Sequence, residues 1–427
     1  MHRPLWWFST LVLDWTQHAK SDENTLMSKN YFCILPWIHM QVSPNGKMHS
    51  CCQTSFKNPL GDLNKTSIEN IWQGESYKAL RESMRNGNKI SDCESCFLQE
   101  DLGITSLRQW ANQEWASLIT DDFLNAPLQK PIYLDLRFDN KCNFKCRSCT
   151  PHYSTNWYAD YKQIKGQEFV PEFNHDTADK IWTEIEPLLA HTQKIYFAGG
   201  EPLINQFHLR TLKRLVEIGK QPALVYNTNF SLLPKEVLDL WGHFPNVMIC
   251  ASLDGVEKQG EYIRSGFKWS KFAQNKSLLK QVVPNAIFKI DFTLSIYNVF
   301  HLPHALNTLL TEGILQTLND FTLKPLIDPR YLNVKILNSN ERIDLKKKYS
   351  SFLADFEHLF PQESLRAHEI LTSALNYIEP DDFSNDRLTF QFFNRKLDIL
   401  RNEKSEDLFP ELKTDFLIKS RLIFFDF

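Results

Sequence analysis

The nine cysteines, at positions 33, 51, 52, 93, 96, 142, 146, 149 and 250, constrain this chain more than any other feature. An odd number, grouped in C-x2-C and C-x3-C spacings, does not suit a disulfide framework. It suits metal ligation by thiolates in a reducing compartment. The groups fall in two places, Cys33 to Cys96 and Cys142 to Cys149, so two metal sites are expected. With a net charge of −3 over 427 residues, nothing in the electrostatics asks for nucleic acid or an anionic membrane as partner. Residues 4–13 are apolar but too short to span a bilayer, and no longer apolar run follows. A cytoplasmic protein is expected. The N-terminal stretch 1–27 reads as an extension, and Met27 is an alternative start.

The pattern then changes along the chain. In residues 28–101, Ser43-Pro44-Asn45-Gly46 marks a hairpin turn. Apolar residues at helical spacing fill 67–85, with Gly74 as a break. Residues 102–130 read as a connecting helix, centred on 101–120. From 131 to 326, six strand-like runs (132–138, 194–198, 223–227, 247–253, 287–295 and 320–326) alternate with helical runs near 176–190, 206–219, 234–241, 269–282 and 302–312. Repeated βα units predict a parallel sheet, and six of them predict a partial (β/α)6 barrel rather than a closed eight-stranded one. Residues 327–427 are predicted helical, at 341–360, 363–378 and 386–402, with RLIFFDF as a short strand or docked tail. The fold class is α/β: a partial barrel between a small cysteine-rich N-terminal module and a helical C-terminal region.

Cys142, Cys146 and Cys149 arrive as C-x3-C-x2-C just after the first barrel strand. Chemistry in such barrels sits at the C-terminal ends of strands. Structural zinc wants four ligands, whereas three thiolates in one loop fit a [4Fe–4S] cluster with one iron left open. This arrangement resembles the radical S-adenosylmethionine (SAM) superfamily. The resemblance extends to Gly199-Gly200-Glu201-Pro202 after the second strand, Asn227-Thr228-Asn229 after the third, Ser252-Leu253-Asp254-Gly255 after the fourth, and Arg264 beyond it. It implies that the open iron chelates SAM and that reduction yields a 5′-deoxyadenosyl radical. It also implies that Gly199, Gly200, Glu201 and Pro202 line the SAM amino group, Ser252 contacts SAM, and Arg264 meets its carboxylate, while Asp254 is a turn residue. One departure is Ser148, where many members carry a large or aromatic residue near the adenine. Phe144 is one substitute.

Cys33-x12-Gly46-x4-Cys51, followed by Cys93-x2-Cys96, resembles the twitch or SPASM auxiliary-cluster module of the same enzymes. The resemblance implies a second, closed [4Fe–4S] cluster on Cys33, Cys51, Cys93 and Cys96. Cys52 is an alternative to Cys51, and zinc remains open for a four-cysteine site. In better-known members the module follows the barrel; here it precedes it. Cys250, inside a strand, reads as a small buried side chain. Tyr297-Asn298 reads as either a turn or a ligand contact, and His152 as a surface residue. The resemblance, over residues 30–326, implies a radical SAM enzyme that abstracts hydrogen from a peptide or protein, with flavodoxin or ferredoxin as electron donor. The alternatives are a dehydrogenase or epimerase of a small molecule such as a sugar, and, in another class, a non-catalytic zinc-stabilised scaffold. No catalytic acid, base or radical relay stands out.

Overall fold

The computed structural model describes residues 31–412, apart from positions 102, 104, 128, 174, 380 and 382. The expected N-terminal extension, Met27 and the RLIFFDF tail lie outside the described residues.

Among the described residues eleven strands occur: β1 (His39–Val42), β2 (Lys47–His49), β3 (Gly61–Asp62), β4 (Tyr133–Leu136), β5 (Lys145–Cys146), β6 (Lys194–Phe197), β7 (Ala223–Thr228), β8 (Val247–Leu253), β9 (Arg264–Ser265), β10 (Ile287–Leu294) and β11 (Phe321–Pro325). Nine share one sheet, ordered β11-β10-β8-β7-β6-β4-β1-β2-β3. From β4 to β11 all neighbours are parallel, each pair joined through a helical crossover. These are the six predicted barrel strands. The helices 206–217, 235–241, 269–282 and 302–311 lie where their apolar periodicity placed them. The C-terminal helices Ser339–Leu359, Ser364–Ile378 and Arg387–Arg401 also match expectation.

Burial alternates strictly along β7 and β8, so each strand has two unlike faces. Leu224, Tyr226, Ile249, Ala251 and Leu253 are fully buried in the main core. The other face carries Asn227, Cys250 and Ser252, all partly exposed. Cys250 therefore lies not in an apolar interior but beside Asp291, Lys324 and Lys289; burial pushes its thiol up to about 12. The sheet curls around this polar face. Tyr196 on β6 feels the charge of Asp291 on β10, although β7 and β8 separate the two strands.

Two features depart from expectation. The connector is not one helix. It breaks into Leu107–Glu114, a 3-10 turn at Ala116–Leu118, and Asp121–Asn125. Ser106 and Thr120 cap new helix starts, Ser106 through a full capping box with Gln109. The segment packs back on residue 32 and its neighbours: Asn112 accepts from Ile34 N at 2.9 Å and donates to Phe32 O at 2.9 Å. The second departure is that the cysteine-rich region is not separate from the barrel. β1 pairs in parallel with β4, His39 opposite Tyr133 and Gln41 opposite Asp135, and so extends the barrel sheet. The expected hairpin is present, with Gly46 at φ 78° and β1 antiparallel to β2.

Candidate metal centres and SAM pocket

The loop 139–149 leaves the C-terminal end of β4 and carries Cys142, Cys146 and Cys149. Three segments distant in sequence close on it. The first is the Gly-Gly-Glu-Pro turn after β6. Gly199 has φ 119°, a conformation that favours glycine. A Cβ on Gly200 would stand 2.2 Å from Lys141 O, so the turn lies directly on the backbone of the cysteine loop. Glu201 N donates to Lys141 O at 2.8 Å.

The second segment is 227–231. The buried Glu201 carboxylate accepts from Leu203 N at 3.0 Å, Thr228 Oγ1 at 2.7 Å and Asn229 N at 2.7 Å, tying the end of β6 to the end of β7. Burial raises its carboxyl above the usual range, and these donors work against that rise. Asn229 donates to Cys142 Sγ at 3.9 Å and to Asn143 Oδ1 at 2.9 Å.

The third is β9, which pairs antiparallel with β5 so that Arg264 lies opposite Cys146. Arg264 is 3.2 Å from Asp254 and close enough to Cys146 and Cys142 to interact with both. Its Nε is buried and has no partner among the described residues. Burial pushes the Cys146 thiol up to about 12 and raises Cys142 and Cys149, and each of these thiols responds to the Arg264 charge. A cationic group bound among them is what would hold three such thiols as thiolates.

Ser252 Oγ donates to Asn227 Oδ1 at 2.6 Å, on the polar face below this loop. There Asn227 donates to Asp291 at 3.3 Å, Lys324 pairs with Asp291 at 2.5 Å, and Arg137 forks onto Asp135 at 3.0 and 3.1 Å. Of these lumen residues, Asp135, Arg137, Asp291 and Lys324 were not singled out from the sequence. The signal was present: IYLDLRF and IFKIDFTL place polar residues at every second position, whereas a parallel strand buried on both faces is apolar throughout.

Cys33, Cys51, Cys93 and Cys96 line one cavity together with Tyr31, Met84 and Arg108. Burial raises all four thiols, Cys93 to about 12. Cys52 lies elsewhere. It faces Asp135, Arg137 and Lys324, and burial lifts it to about 11. All nine cysteines are free thiols. Among the described residues, no three His, Cys, Asp or Glu side chains converge tightly enough to hold a single metal ion. Nor is any helix among them long and apolar enough to cross a membrane.

Phe144 is fully buried, edge-on to Phe267, and therefore belongs to the core. Tyr297 donates to Asn394 at 2.8 Å, and Asn298 donates to Asp254 O and Thr293 O, so this pair takes the turn role. His152 is exposed and stacks edge-on with Phe169.

Residues 33–97 match SPASM, an iron–sulfur cluster-binding domain. A stretch of 108 residues is 30% identical to GTP 3′,8-cyclase of Helicobacter pylori (strain HPAG1), covering 25% of this chain and 30% of the cyclase. Among solved structures, anSMEcpe with bound AdoMet is 17% identical, with a TM-score of 0.38 over 64% of this chain and 68% of that one. Streptococcus suis SuiB bound to S-adenosylmethionine is 12% identical, with a TM-score of 0.36 over 68% and 62%. These two likenesses are too remote to bear on substrate or reaction. The resemblance read from the cysteine spacing stands: the chain is similar to radical SAM enzymes that carry a SPASM domain.

Proposed function

We propose that this chain is a radical SAM enzyme with one auxiliary iron–sulfur cluster, acting on a peptide or protein. The observation that carries this reading is the convergence of the three-cysteine loop, the Gly-Gly-Glu-Pro turn and Arg264 at the C-terminal end of β4 and its neighbours. With iron–sulfur and SAM bound, the site would supply reductive cleavage of SAM to a 5′-deoxyadenosyl radical.

The residues divide the remaining tasks. Cys142, Cys146 and Cys149 would hold three irons and leave the fourth open. The backbone from Gly199 to Pro202 would accept from the SAM ammonium, since Gly200 sits against the loop with no side chain in the way. Glu201 is engaged with Thr228, Asn229 and Leu203, so its part is to fix the strand ends. Arg264, with Nε free and buried, would meet the SAM carboxylate. Ser252 would contact SAM from the fourth barrel strand.

Cys33, Cys51, Cys93 and Cys96 would hold the auxiliary cluster. They line one cavity, and the domain match over residues 33–97 is to an iron–sulfur cluster-binding domain, which supports iron–sulfur over zinc. The lumen below carries its charges in pairs, Asp135 with Arg137 and Asp291 with Lys324, and offers Asn227 and Ser252 between them. Such a wall suits the uncharged amide groups of a peptide better than a strongly charged small molecule. Flavodoxin or ferredoxin would deliver the electron.

The test is SAM cleavage by protein reconstituted without oxygen and reduced. Cys146→Ala is expected to release no 5′-deoxyadenosine, while Cys96→Ala retains part of the parent's release. Full release by Cys146→Ala would refute the assignment of the loop.

A further inference from the structure

The helix Arg387–Arg401 and the segment after it lie against the three-cysteine loop, and both residues flanking Cys146 are tied to them. Arg147 has no exposed side-chain surface. It donates through Nη1 to Asn394 at 2.9 Å and through Nη2 to Asp398 and Glu403, both at 2.5 Å. Its guanidinium lies 3.7 Å over the Tyr262 ring. Asn394 is wholly buried, and its carbonyl also accepts from the Tyr262 and Tyr297 hydroxyls, at 2.9 and 2.8 Å. On the other side of Cys146, Lys145 pairs with Asp160 at 2.9 Å, and Arg401 takes the second oxygen of that carboxylate at 2.8 Å. Lys145, Arg147 and Arg401 thus face Asp160, Asp398 and Glu403, and the charges cancel.

Buried charge networks are a poor source of stability compared with apolar packing. What a buried, forked guanidinium does supply is fixed geometry. The network spans about 250 residues of sequence to reach one loop. One part of it is unfinished: Arg401 Nη1 and Nη2 are buried without a partner among the described residues. That guanidinium lies 4.8 Å over Trp157, whose indole N–H donates to Cys146 O at 2.9 Å. A buried cation with unmet donors therefore stands beside the loop.

We propose that the helix Arg387–Arg401 is a latch that sets the three-cysteine loop, with Arg147 and Arg401 as positioning residues for the iron–sulfur group held there. This gives a role to the C-terminal region, whose sequence suggested none, and it rests on reading Cys142, Cys146 and Cys149 as iron ligands.

The test uses the full chain, reconstituted without oxygen, as parent, Arg147→Met, Arg401→Met and Leu397→Ala. Two quantities are measured: the rate of iron loss to a chelator, and the midpoint of reduction of the SAM-site cluster by electron paramagnetic resonance. In Arg147→Met, half the iron is expected to leave about tenfold faster than in the parent, with the four-cysteine site as internal control. In Arg401→Met, iron is retained, but the fraction reduced at a fixed poise falls about tenfold, because a nearby positive charge favours the reduced cluster. Leu397 is buried in the same helix; its truncation is expected to lower the melting temperature and leave the midpoint unmoved. If Arg147→Met does not fold, Arg401→Met, which leaves the Arg147 pairs intact, decides the matter. Parent-like iron loss and midpoints in both arginine variants would overturn the latch, as would an equal midpoint shift in Leu397→Ala. A parent chain that takes no iron on the three-cysteine loop overturns the underlying reading instead.

Discussion

Gly200→Ala tests the contact on which the SAM pocket depends. The added Cβ would stand 2.2 Å from Lys141 O and 2.6 Å from the carbonyl carbons of Asn140 and Lys141. A comfortable carbon–oxygen contact is about 3.3 Å, so the turn must retreat by about 1 Å, and every atom it meets is backbone. The retreat breaks the bond from Glu201 N to Lys141 O, 2.8 Å long in the parent. Overpacking costs about 1–3 kcal/mol and the lost bond about 1 kcal/mol, so the total is about 2–4 kcal/mol. At roughly 2.1 cal/mol/K per residue, the unfolding entropy of this chain is about 0.9 kcal/mol/K, so the melting temperature falls by about 2–5 °C. The larger effect is on chemistry, since a misplacement of about 1 Å costs on the order of a hundredfold in rate. The assay pairs a thermal melt with SAM cleavage by the reconstituted protein. Gly242→Ala, whose nearest neighbour would be 3.3 Å away, is the control. Parent-like melting and cleavage by Gly200→Ala would refute the claim that turn and loop are in obligatory contact.

Three further outcomes are expected. Arg264→Lys keeps the charge beside Asp254 and loses the second donor of the fork, so SAM affinity falls about tenfold while the fold persists; titration calorimetry measures it, and unchanged affinity contradicts the role given to Arg264. His208 and His49 are kept neutral, burial lowering them to about 3 and about 4. Unfolded histidine takes a proton near 6.5, so as pH drops from about 6.5 toward 4 the unfolded state gains protons that the fold refuses. Each site then costs about 2 kcal/mol of stability by pH 5. His208→Gln should flatten this decline in urea melts at pH 7 and pH 5, and a pH slope as steep as the parent's contradicts it. Cys52→Ala should keep all four-cysteine iron, because Cys51, not Cys52, lines that cavity; iron analysis checks it.

Most of the barrel was legible because its signals are local. β8 reads as a strand from VMICASL, bounded by Pro245-Asn246 and Asp254-Gly255, and the helix 206–217 reads from its apolar stripe. The broken connector was also written locally, in Ser106-x-x-Gln109 and Thr120-Asp121, but apolar spacing alone suggested one helix. The parallel pairing of β1 with β4 could not be read, since partner choice between strands 94 residues apart depends on the whole sheet. Cys52 shows how near the limit lies. The C-x12-G-x4-C spacing favours Cys51, yet only the turn after β2 shows that the next thiol faces the lumen. Arg147 could not be read from the sequence, because its partners Asn394, Asp398 and Glu403 lie far along the chain.

The central claim is that this chain holds two iron–sulfur clusters and uses one of them on SAM. Its most direct test is iron, sulfide and zinc per chain after anaerobic reconstitution, followed by the spectrum of the reduced protein with and without SAM. The account predicts about eight irons, a spectral change on adding SAM, and release of 5′-deoxyadenosine. Zinc in place of iron, with no SAM-dependent change and no cleavage, would contradict it.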